Sequence, residues 1–454
     1  MGPFVYGVAT SAFQVEGATD ADGRGPSIWD TFAAQPGAIV DGSDGRTACG
    51  SYERWADDLD LLAELGVGAY RFSIAWPRVQ PEGSGPINTP GLDYYDRVVD
   101  ALCAKGIQPL PTLYHWDLPQ SLEDDGGWPS RETALRFADY AAAVHGRLSD
   151  RVGVWATLNE PWCSAFLGYA AGVHAPGRRE PGAAYAAAHN LLLAHALAAA
   201  TMREQHAESK VGLALNLTTV HTDDLRAVEA ARFVDAVRNR LWLDPLLDGR
   251  YPADLLEAVP VLEDPEVVDA GDLTLVAGSA DWIGVNYYNP LRVGSPEPGA
   301  DDSDADPEVA AYPGALPLRF RPREPRTPMG WEVDPGGLTD VLVELAARDP
   351  RLVLRVTENG AAYGDGVIGP DGRIDDADRA AYLQAHIAAV HAARAAGADV
   401  RAYLAWTLLD NFEWSHGYTQ RFGLVAVEPG TLARVPKRSF AWYADLIRAG
   451  APAG

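Results

Sequence analysis

VGVWATLNEPW, residues 152–162, is an apolar run that stops abruptly at Glu160 and Pro161. Its apolar part is short and rich in strand-forming residues, and Pro161 prevents the strand from continuing. A second run, RLVLRVTENG (351–360), ends in the same way, with Glu358 followed by an Asn-Gly turn. Each stretch therefore predicts a buried strand whose carboxyl end presents a glutamate.

Eight strand candidates of this kind alternate with longer helical patterns along the chain. This alternation is typical of repeated βα units and a parallel sheet. The strand candidates are residues 4–10, 67–76, 107–116, 152–159, 210–217, 281–288, 351–358 and 400–409. The clearest helical patterns run from Tyr52 to Leu65, Leu92 to Lys105, Arg131 to Leu148, Ala183 to His206 and Ala377 to Ala396.

Periodicity alone does not distinguish a closed barrel from an open doubly wound sheet, but the positions of the unusual side chains do. Barrels assemble their sites from several strand ends, whereas an open sheet concentrates its site near one switch point. We therefore predict an α/β fold, a single (β/α)8 TIM barrel with extended βα loops, that occupies residues 1–454 as one catalytic domain. The polar and aromatic residues at the strand ends are Gln14, His115, Asn159, Glu160, Tyr288, Glu358 and Trp406.

Composition limits the partners and the location. The 63 acidic and 37 basic residues give a formal net charge of −26, which disfavours nucleic acid and anionic membranes as partners. The three cysteines lack CxxC spacing, and the chain has neither an apolar run of membrane length nor a leader-like start. We expect a soluble cytoplasmic protein, either a monomer or a homo-oligomer. The ten histidines include no HxH or HExxH arrangement, so no metal site is expected.

Two glutamates at two different strand ends suggest chemistry that needs paired carboxylates. Glycoside cleavage is such a reaction: one group protonates the leaving oxygen, while the other attacks or activates water at the anomeric carbon. The alternative is that each glutamate merely caps the following helix. Either interpretation is open for one glutamate taken alone.

TLNEP (157–161) and VTENG (356–360) resemble the acid/base and nucleophile signatures of family 1 glycoside hydrolases, the β-glucosidase family. The glutamates of that family end strands four and seven of a (β/α)8 barrel, and Glu160 and Glu358 end the fourth and seventh strand candidates of this chain. The resemblance extends over nearly the whole chain, through GVATSAFQVEGA (7–18), RFSIAWPR (71–78), LYHWDLP (113–119), GVHAPG (172–177), GVNYY (284–288), WTLLDNFEW (406–414), RFGLV (421–425) and VPKRSFAWY (435–443).

The resemblance implies a retaining double displacement without a cofactor on a β-glycoside substrate. Glu358 would form a covalent glycosyl-enzyme, and Glu160 would act first as acid and then as base. The two carboxyl groups would then lie about 5–5.5 Å apart. Arg71 interrupts an apolar strand, so its buried charge needs a partner; Glu358 is the obvious one, and a structural ion pair is the alternative. Together with the Tyr288 hydroxyl, Arg71 would keep Glu358 ionised, and Asn286 is a further supporting residue that the resemblance implies.

The remaining site residues follow from the need to bind a sugar, which requires polar groups for its hydroxyls and an aromatic face for its C–H surface. Taken singly, each tryptophan could equally fill the core. Cys163 and His174 are interpreted as structural or pocket-wall residues. The residues that match the substrate-binding positions of the family are Gln14, His115, Trp116, Asn159, Trp331, Trp406, Glu413, Trp414 and Phe422.

Several alternative functions compete with this interpretation. A preference for 6-phosphoglycosides is disfavoured because Glu413 would repel the phosphate. An enzyme of phosphate esters is disfavoured too, because TENGAAYG (357–364) and DNFEWSHG (410–417) carry acids where phosphate loops would be expected. A non-catalytic binding protein would lack one of the two glutamates, and both are present. A transglycosidase, a β-galactosidase or a β-fucosidase could use the same residues.

Residues 296–328 are rich in Pro, Gly, Asp and Arg and predict one long loop after the sixth strand. Loops of this length at the mouth of a barrel commonly shape the site. We expect this segment to determine which leaving groups enter.

Overall fold

The computed structural model describes residues 2–296, 307–369 and 372–450. Its central feature is a ring of eight parallel strands, and each overlaps one of the strand candidates. They are β1 (Val5–Ala9), β2 (Ala69–Ser73), β3 (Gln108–Tyr114), β4 (Val154–Asn159), β5 (Lys210–Leu215), β6 (Trp282–Asn286), β7 (Leu354–Asn359) and β8 (Val400–Trp406). The hydrogen-bonded order β1-β8-β7-β6-β5-β4-β3-β2 closes the ring. The predicted (β/α)8 barrel is confirmed; one domain across residues 1–454 stays a prediction.

Helices connect successive strands and cover the outside of the barrel. The five helices expected from the sequence are present, with ends shifted by up to three residues. The long helices are Ser51–Leu65, Thr89–Ala104, Arg131–Leu148, Pro181–Gln205, Pro335–Arg348, Ala377–Ala395 and Arg438–Ala449. The shorter ones are Ala12–Val15, Ile28–Ala33, Trp76–Val79, Gln120–Asp124, Val228–Asp235, Leu241–Asp248, Ala253–Ala258 and Asp272–Val276. Two segments, Cys163–Ala171 and Ala236–Arg240, are π-helical, and Leu225–Ala227, Pro260–Glu263, Pro307–Ala311 and Trp414–His416 are 3-10 turns.

The helix Pro181–Gln205 is long and apolar enough to cross a membrane by length and composition alone. However, 78% of its most apolar window is buried within the protein. Its largest contact is with the helix Arg131–Leu148. A helix that is apolar on all sides is expected in the core of a large protein, so burial accounts for this composition.

The barrel interior changes character from one end to the other. Towards the amino ends of the strands it is apolar, and Trp282 on β6 fills much of the space. Gly212 on β5 leaves room for this indole, because a Cβ atom there would lie 2.5 Å from its Cδ2 and Cε2 atoms. Towards the carboxyl ends, Arg71, Thr112 and Thr357 replace the apolar side chains and bond to one another or to neighbouring polar groups. The polar end is therefore the one that holds the predicted site.

The prediction of one long loop over residues 296–328 is wrong for the part that the structure describes. Pro307–Ala311 forms a 3-10 turn, and Arg319–Phe320 pairs antiparallel with the strand Leu291–Gly294. Leu291–Gly294 also pairs with Val220–His221 to complete a small sheet outside the barrel, and Val425–Val427 pairs with Arg434–Pro436 in another. Aromatic packing stabilises this structure, because the ring centroids of Tyr312 and Phe320 lie 5.7 Å apart. Residues 297–306 of this loop lie outside the described residues.

Candidate active site

A cavity of about 480 Å3 opens at the carboxyl ends of the barrel strands. Most of the predicted site residues line it, and two lie behind its wall: Gln14 and Arg71 are fully buried. The predicted residues on the cavity surface are His115, Trp116, Asn159, Glu160, Asn286, Tyr288, Trp331, Glu358, Trp406, Glu413, Trp414 and Phe422.

Glu358 is held by two donors, one for each carboxylate oxygen. Arg71 Nη1 lies 2.5 Å from Oε1, and the Tyr288 hydroxyl donates to Oε2 over 2.7 Å. Arg71 and Glu358 are both buried, at 0% and 3% exposure. The partner expected for the Arg71 charge is therefore present, together with the expected tyrosine.

Glu160 sits immediately after β4 and has different contacts. Asn286 Nδ2 donates to Oε1 over 2.8 Å, and the Cys163 thiol lies 3.1 Å from Oε2. None of the described residues forms an ion pair with this carboxyl group. One glutamate thus has a cationic partner and the other has neutral donors only, a difference that suits two distinct roles.

A continuous chain of hydrogen bonds connects the two glutamates. Arg71 Nη2 and Asn286 Nδ2 both donate to Asn159 Oδ1, over 2.6 Å and 3.0 Å. Asn286 in turn accepts from the Thr357 hydroxyl over 2.6 Å. The side chains between Glu160 and Glu358 are thereby fixed before any substrate enters, as preorganised catalysis requires.

The backbone is irregular where these side chains leave the barrel. Trp116, Glu160 and Trp414 have φ angles of 80°, 43° and 50°, in the left-handed region that non-glycine residues seldom adopt. Pairing of β7 with β6 shifts register between Val356 and Glu358. Such strain and bulges cluster at functional sites because they redirect side chains.

The protonation of Glu358 departs from the expectation. Its pKa is raised to about 7, because burial and the nearby Glu160 outweigh the opposite effects of Arg71 and Tyr288. Arg71 and Tyr288 therefore offset only part of the effect of burial on Glu358. Arg71 contacts Glu358 and not Glu160, so the cation favours the ionised form of Glu358 specifically.

Polar groups suited to sugar hydroxyls surround the inner end of the cavity. Asn159 Nδ2 donates to His115 Nε2 over 3.0 Å, so the ring proton of His115 lies on Nδ1. Nδ1 has no partner among the described residues and can donate to a ligand. Burial and the charge of Arg71 lower the pKa of His115 well below its usual range, which keeps the ring neutral.

Glu413 contributes another carboxyl group to the cavity. Burial, Glu358 and Glu160 together raise its pKa to about 8, while Gln14 lowers it by donating to Oε2 over 3.4 Å. Gln14 is itself fixed, because its amide also donates to the Phe412 carbonyl over 2.9 Å. Gln14 thus supports Glu413 from behind the cavity wall.

Aromatic rings form the remaining walls. Trp406 and Trp414 lie 5.8 Å and 5.9 Å from the His115 ring, nearly parallel to it. On the other side, Tyr288 packs against Trp331 and Phe422 at 5.4 Å and 6.2 Å between ring centroids. The cavity therefore combines polar groups with the flat apolar faces that a sugar ring requires.

Sequence reasoning missed the outer part of the cavity. Arg238 lies over the Trp162 ring at 4.1 Å from its centroid, and Tyr312 packs on the same ring at 5.4 Å. The carbonyl oxygen of Asn216, in the amide orientation that satisfies both groups, accepts from Arg238 Nη2 and Nη1 over 3.1 Å and 3.2 Å. Arg238 lies on the π-helical segment Ala236–Arg240, and π-bulges are frequent at functional sites. His174 and Cys163 are wall residues, as expected.

The family described as "Glycosyl hydrolase family 1" matches residues 2–451. The chain belongs to glycosyl hydrolase family 1. A β-glucosidase of Agrobacterium is 44% identical over 100% of this chain and 96% of its own length. A bifunctional β-D-glucosidase/β-D-fucosidase of Bifidobacterium breve is 46% identical over 98% and 97%. The crystal structure of a psychrophilic β-glucosidase of Micrococcus antarcticus matches with a TM-score of 0.91 and 47% identity, over 98% and 97% of the two chains. The predicted family and the expectation of a glycoside hydrolase are confirmed.

Proposed function

We propose that this glycosyl hydrolase is a retaining β-glucosidase in which Glu358 is the nucleophile and Glu160 the acid/base. The assignment rests on the different partners that bind the two carboxyl groups. Glu358 is bound by Arg71 and Tyr288, whereas Glu160 is bound by an amide and a thiol. A nucleophile must be ionised and rigid, and a general acid must carry a proton.

In the first step, Glu358 attacks the anomeric carbon while Glu160 protonates the leaving oxygen. The C–O bond to the leaving group breaks as the bond to Glu358 forms, and the charge of Glu358 is consumed in the covalent intermediate. Arg71 and Tyr288 hold the carboxylate in line and limit its motion. Removal of that negative charge then makes it easier for Glu160 to remain ionised.

In the second step, the ionised Glu160 takes a proton from the molecule that replaces the leaving group. Water at this position gives hydrolysis, and a sugar or alcohol gives transglycosylation. The oxygen attacks the anomeric carbon, and Glu358 departs with its charge restored. Two inversions at the same carbon retain the β configuration.

The inner cavity supports an unphosphorylated sugar. A phosphorylated sugar would bring further negative charge into a cavity that already holds the carboxyl groups of Glu413, Glu358 and Glu160. His115 and Glu413 offer hydroxyl partners, Gln14 supports Glu413 from behind, and Trp406 and Trp414 form flat walls. A β-fucoside is a second candidate, because the Bifidobacterium relative is named for both activities.

The first test is hydrolysis of 4-nitrophenyl β-D-glucoside beside the β-galactoside, β-fucoside and 6-phospho-β-glucoside. We expect release of nitrophenol from the glucoside or fucoside and none from the phosphorylated substrate. Glu358→Gly serves as the blank. If the folded wild-type protein released no nitrophenol from any unphosphorylated glycoside, the result would instead favour a transferase or a binding protein.

The roles of the glutamates are tested separately. Glu358→Gly should lose hydrolysis but use a glycosyl fluoride of inverted configuration for synthesis. Glu160→Gln should accumulate a covalent intermediate from a dinitrophenyl glucoside, whose leaving group needs no proton. Exchange of these two phenotypes would reverse the assignment.

We further propose cello-oligosaccharides as natural substrates and hence a contribution to cellulose degradation. Arg238 and Asn216 offer polar groups to a second sugar in the outer cavity, and Trp162 and Tyr312 offer rings. Cellobiose hydrolysis that is weakened by Asn216→Ala, with unchanged nitrophenyl glucoside hydrolysis, would support this proposal. A cytoplasmic location stays a prediction, testable by cell fractionation, as does the choice between monomer and homo-oligomer.

A further inference from the structure

The thiol of Cys163 touches the proposed acid/base directly. Its Sγ lies 3.1 Å from Glu160 Oε2, within the distance of a sulfur hydrogen bond. The other oxygen of Glu160 already accepts from Asn286 over 2.8 Å. The backbone reinforces the contact, because the Cys163 amide donates to the Glu160 carbonyl over 2.9 Å. Cys163 also begins the π-helix Cys163–Ala171, so the segment that follows the acid/base fixes the thiol in place.

The proton of the thiol has one strong acceptor. The amide end of Asn216 that faces Arg238 lies 3.3 Å from Sγ, but its oxygen already accepts two N–H groups of the guanidinium. A carboxylate is a better acceptor than an amide oxygen that is so occupied. The S–H group therefore points to Glu160 Oε2.

We propose that Cys163 is a positioning residue that acts through Glu160, stabilising the charged form of the acid/base and fixing the orientation of its carboxyl group. This role rests on the proposed function. A donor to a carboxylate favours its ionised form, which the second step needs, while a thiol is a weak enough donor to permit protonation for the first step. A stronger donor at this position would hold Glu160 ionised, so a thiol suits a group that must change its protonation state between the two steps.

Other ionisable groups also act on Glu160 and must stay unchanged in the test. The thiol itself is protonated, since burial and the neighbouring Glu160 raise the pKa of Cys163 well above its usual range. The groups that face Glu160 and Cys163 from the surrounding strands and helices are Glu358, Glu413, Tyr288, Arg238 and, through Asn159, Arg71.

The test compares the pH dependence of Cys163→Ala, Cys163→Ser and wild type. For 4-nitrophenyl β-glucoside, Cys163→Ala should move the alkaline limb of kcat/KM to higher pH by on the order of half a pH unit, because the acid form is favoured. For the dinitrophenyl glucoside, kcat below neutral pH should fall where the second step limits the rate. Cys163→Ser introduces a stronger donor and should move the alkaline limb in the opposite direction, to a pH at or below that of wild type.

Cys103→Ala is the matched control, because it removes an exposed cysteine from the helix Thr89–Ala104. It should leave both profiles unchanged. The proposal is overturned if Cys163→Ala leaves the alkaline limb in place, or if Cys163→Ser moves it to higher pH as Cys163→Ala does. Loss of packing alone would change KM or thermal stability without displacing the two profiles together.

The infrared S–H stretching band provides a measurement that does not depend on activity. The band that disappears in Cys163→Ser belongs to Cys163, and in wild type it should move to lower frequency as Glu160 ionises. In Glu160→Gln it should not respond to pH. A band that ignores pH in wild type would overturn the hydrogen bond, whereas absence of any glucosidase activity would overturn the proposed function instead.

Discussion

Removal of the Tyr288 hydroxyl is the most selective way to perturb the proposed nucleophile, because it does not change the charge of the site. It donates to Glu358 Oε2 over 2.7 Å. Tyr288→Phe should raise the Glu358 pKa above its present value of about 7, because a donor to the charged form is lost. Since the nucleophile must be ionised, the acid limb of kcat/KM should move to higher pH. We expect kcat/KM at neutral pH to fall by roughly 10- to 100-fold, the cost of one hydrogen bond to a charged group.

The neighbouring Tyr287 is the control for this substitution. Its hydroxyl donates to the Asp334 carbonyl over 2.8 Å, away from the two glutamates. Tyr287→Phe should lower stability and leave the acid limb in place. Equal displacement of the limb in both variants would show that the hydroxyl of Tyr288 has no specific effect on Glu358.

Single residues were predictable where they broke a local pattern. Glu160 and Glu358 end apolar strands, and Arg71 is a charge inside one, so each was visible in the sequence and lies in the site. Arg238 broke no pattern, because it lies in a helical stretch with other arginines nearby. Its place in the cavity depends on a π-helical segment and on Trp162, and no short-range sequence signal reports either feature.

At the scale of elements, the segment that carries Glu413 and Trp414 is tied to the C-terminal part of the chain by one lysine. Lys437 Nζ lies 2.7 Å from Asp410 and 2.8 Å from Asp365, and its side chain is 0% exposed. Lys437→Met would leave the largely buried Asp410 without its ion-pair partner, while Asp365 would keep only its pair with Arg421. The free energy of unfolding should fall by about 3–5 kcal/mol, as expected when one partner of a buried pair is removed. Displacement of the Asp410 segment should also raise KM, because Glu413 follows in the same loop.

Lys105→Met provides the comparison for a urea unfolding experiment. Lys105 pairs with Asp60 over 2.7 Å, but the two side chains are 31% and 76% exposed. An exposed pair contributes at most about 1 kcal/mol, so this variant should unfold close to wild type. If Lys437→Met unfolded at the same urea concentration as Lys105→Met, the lysine would not hold the loop.

Helices and strands were predictable where a single stretch of sequence shows their periodicity. The eight strands and five of the helices follow from apolar runs and helical spacing, and closure of the barrel follows from the distribution of polar strand ends. The loop over residues 296–328 was misjudged because Arg319–Phe320 is ordered by pairing with Leu291–Gly294. A two-residue strand carries no periodicity of its own, so only its partner could reveal it.

At the scale of the whole molecule, the site lowers the free energy of unfolding, and the size of this loss depends on pH. Four glutamates, Glu160, Glu308, Glu358 and Glu413, line one cavity of a protein that already carries a net charge of −26. Burial and the neighbouring carboxyl groups raise the pKa of Glu358 and of Glu413, which disfavours the ionisation of these two groups in the folded state. The unfolded chain has no such penalty, so the difference is a cost that function imposes on folding.

Glu413 gives the clearest measure of that cost. Its pKa is raised from 4.5 to about 8 in the folded protein, so folding retains a proton that the unfolded chain releases. Below about pH 4.5 Glu413 is protonated in both states, so it does not reduce the free energy of unfolding. As pH rises from 4.5 towards 8, the free energy of unfolding falls, because the unfolded chain releases the proton that the folded protein retains. Glu413→Gln is neutral throughout and should therefore gain stability relative to wild type over this interval. After allowance for screening by water in the cavity, we expect about 2 kcal/mol by pH 8 and a thermal midpoint higher by a few degrees.

Thermal unfolding of wild type, Glu413→Gln and Glu266→Gln at several pH values between 4.5 and 8 tests this expectation. Glu266→Gln removes the same formal charge from an exposed position, so it controls for the change in net charge. The midpoint of Glu413→Gln should match wild type at the acid end and rise above it as pH increases, while Glu266→Gln stays parallel to wild type. A constant gap between Glu413→Gln and wild type at every pH would mean that the substitution acts through packing. In that case Glu413 would be ionised in the folded state as readily as in the unfolded chain.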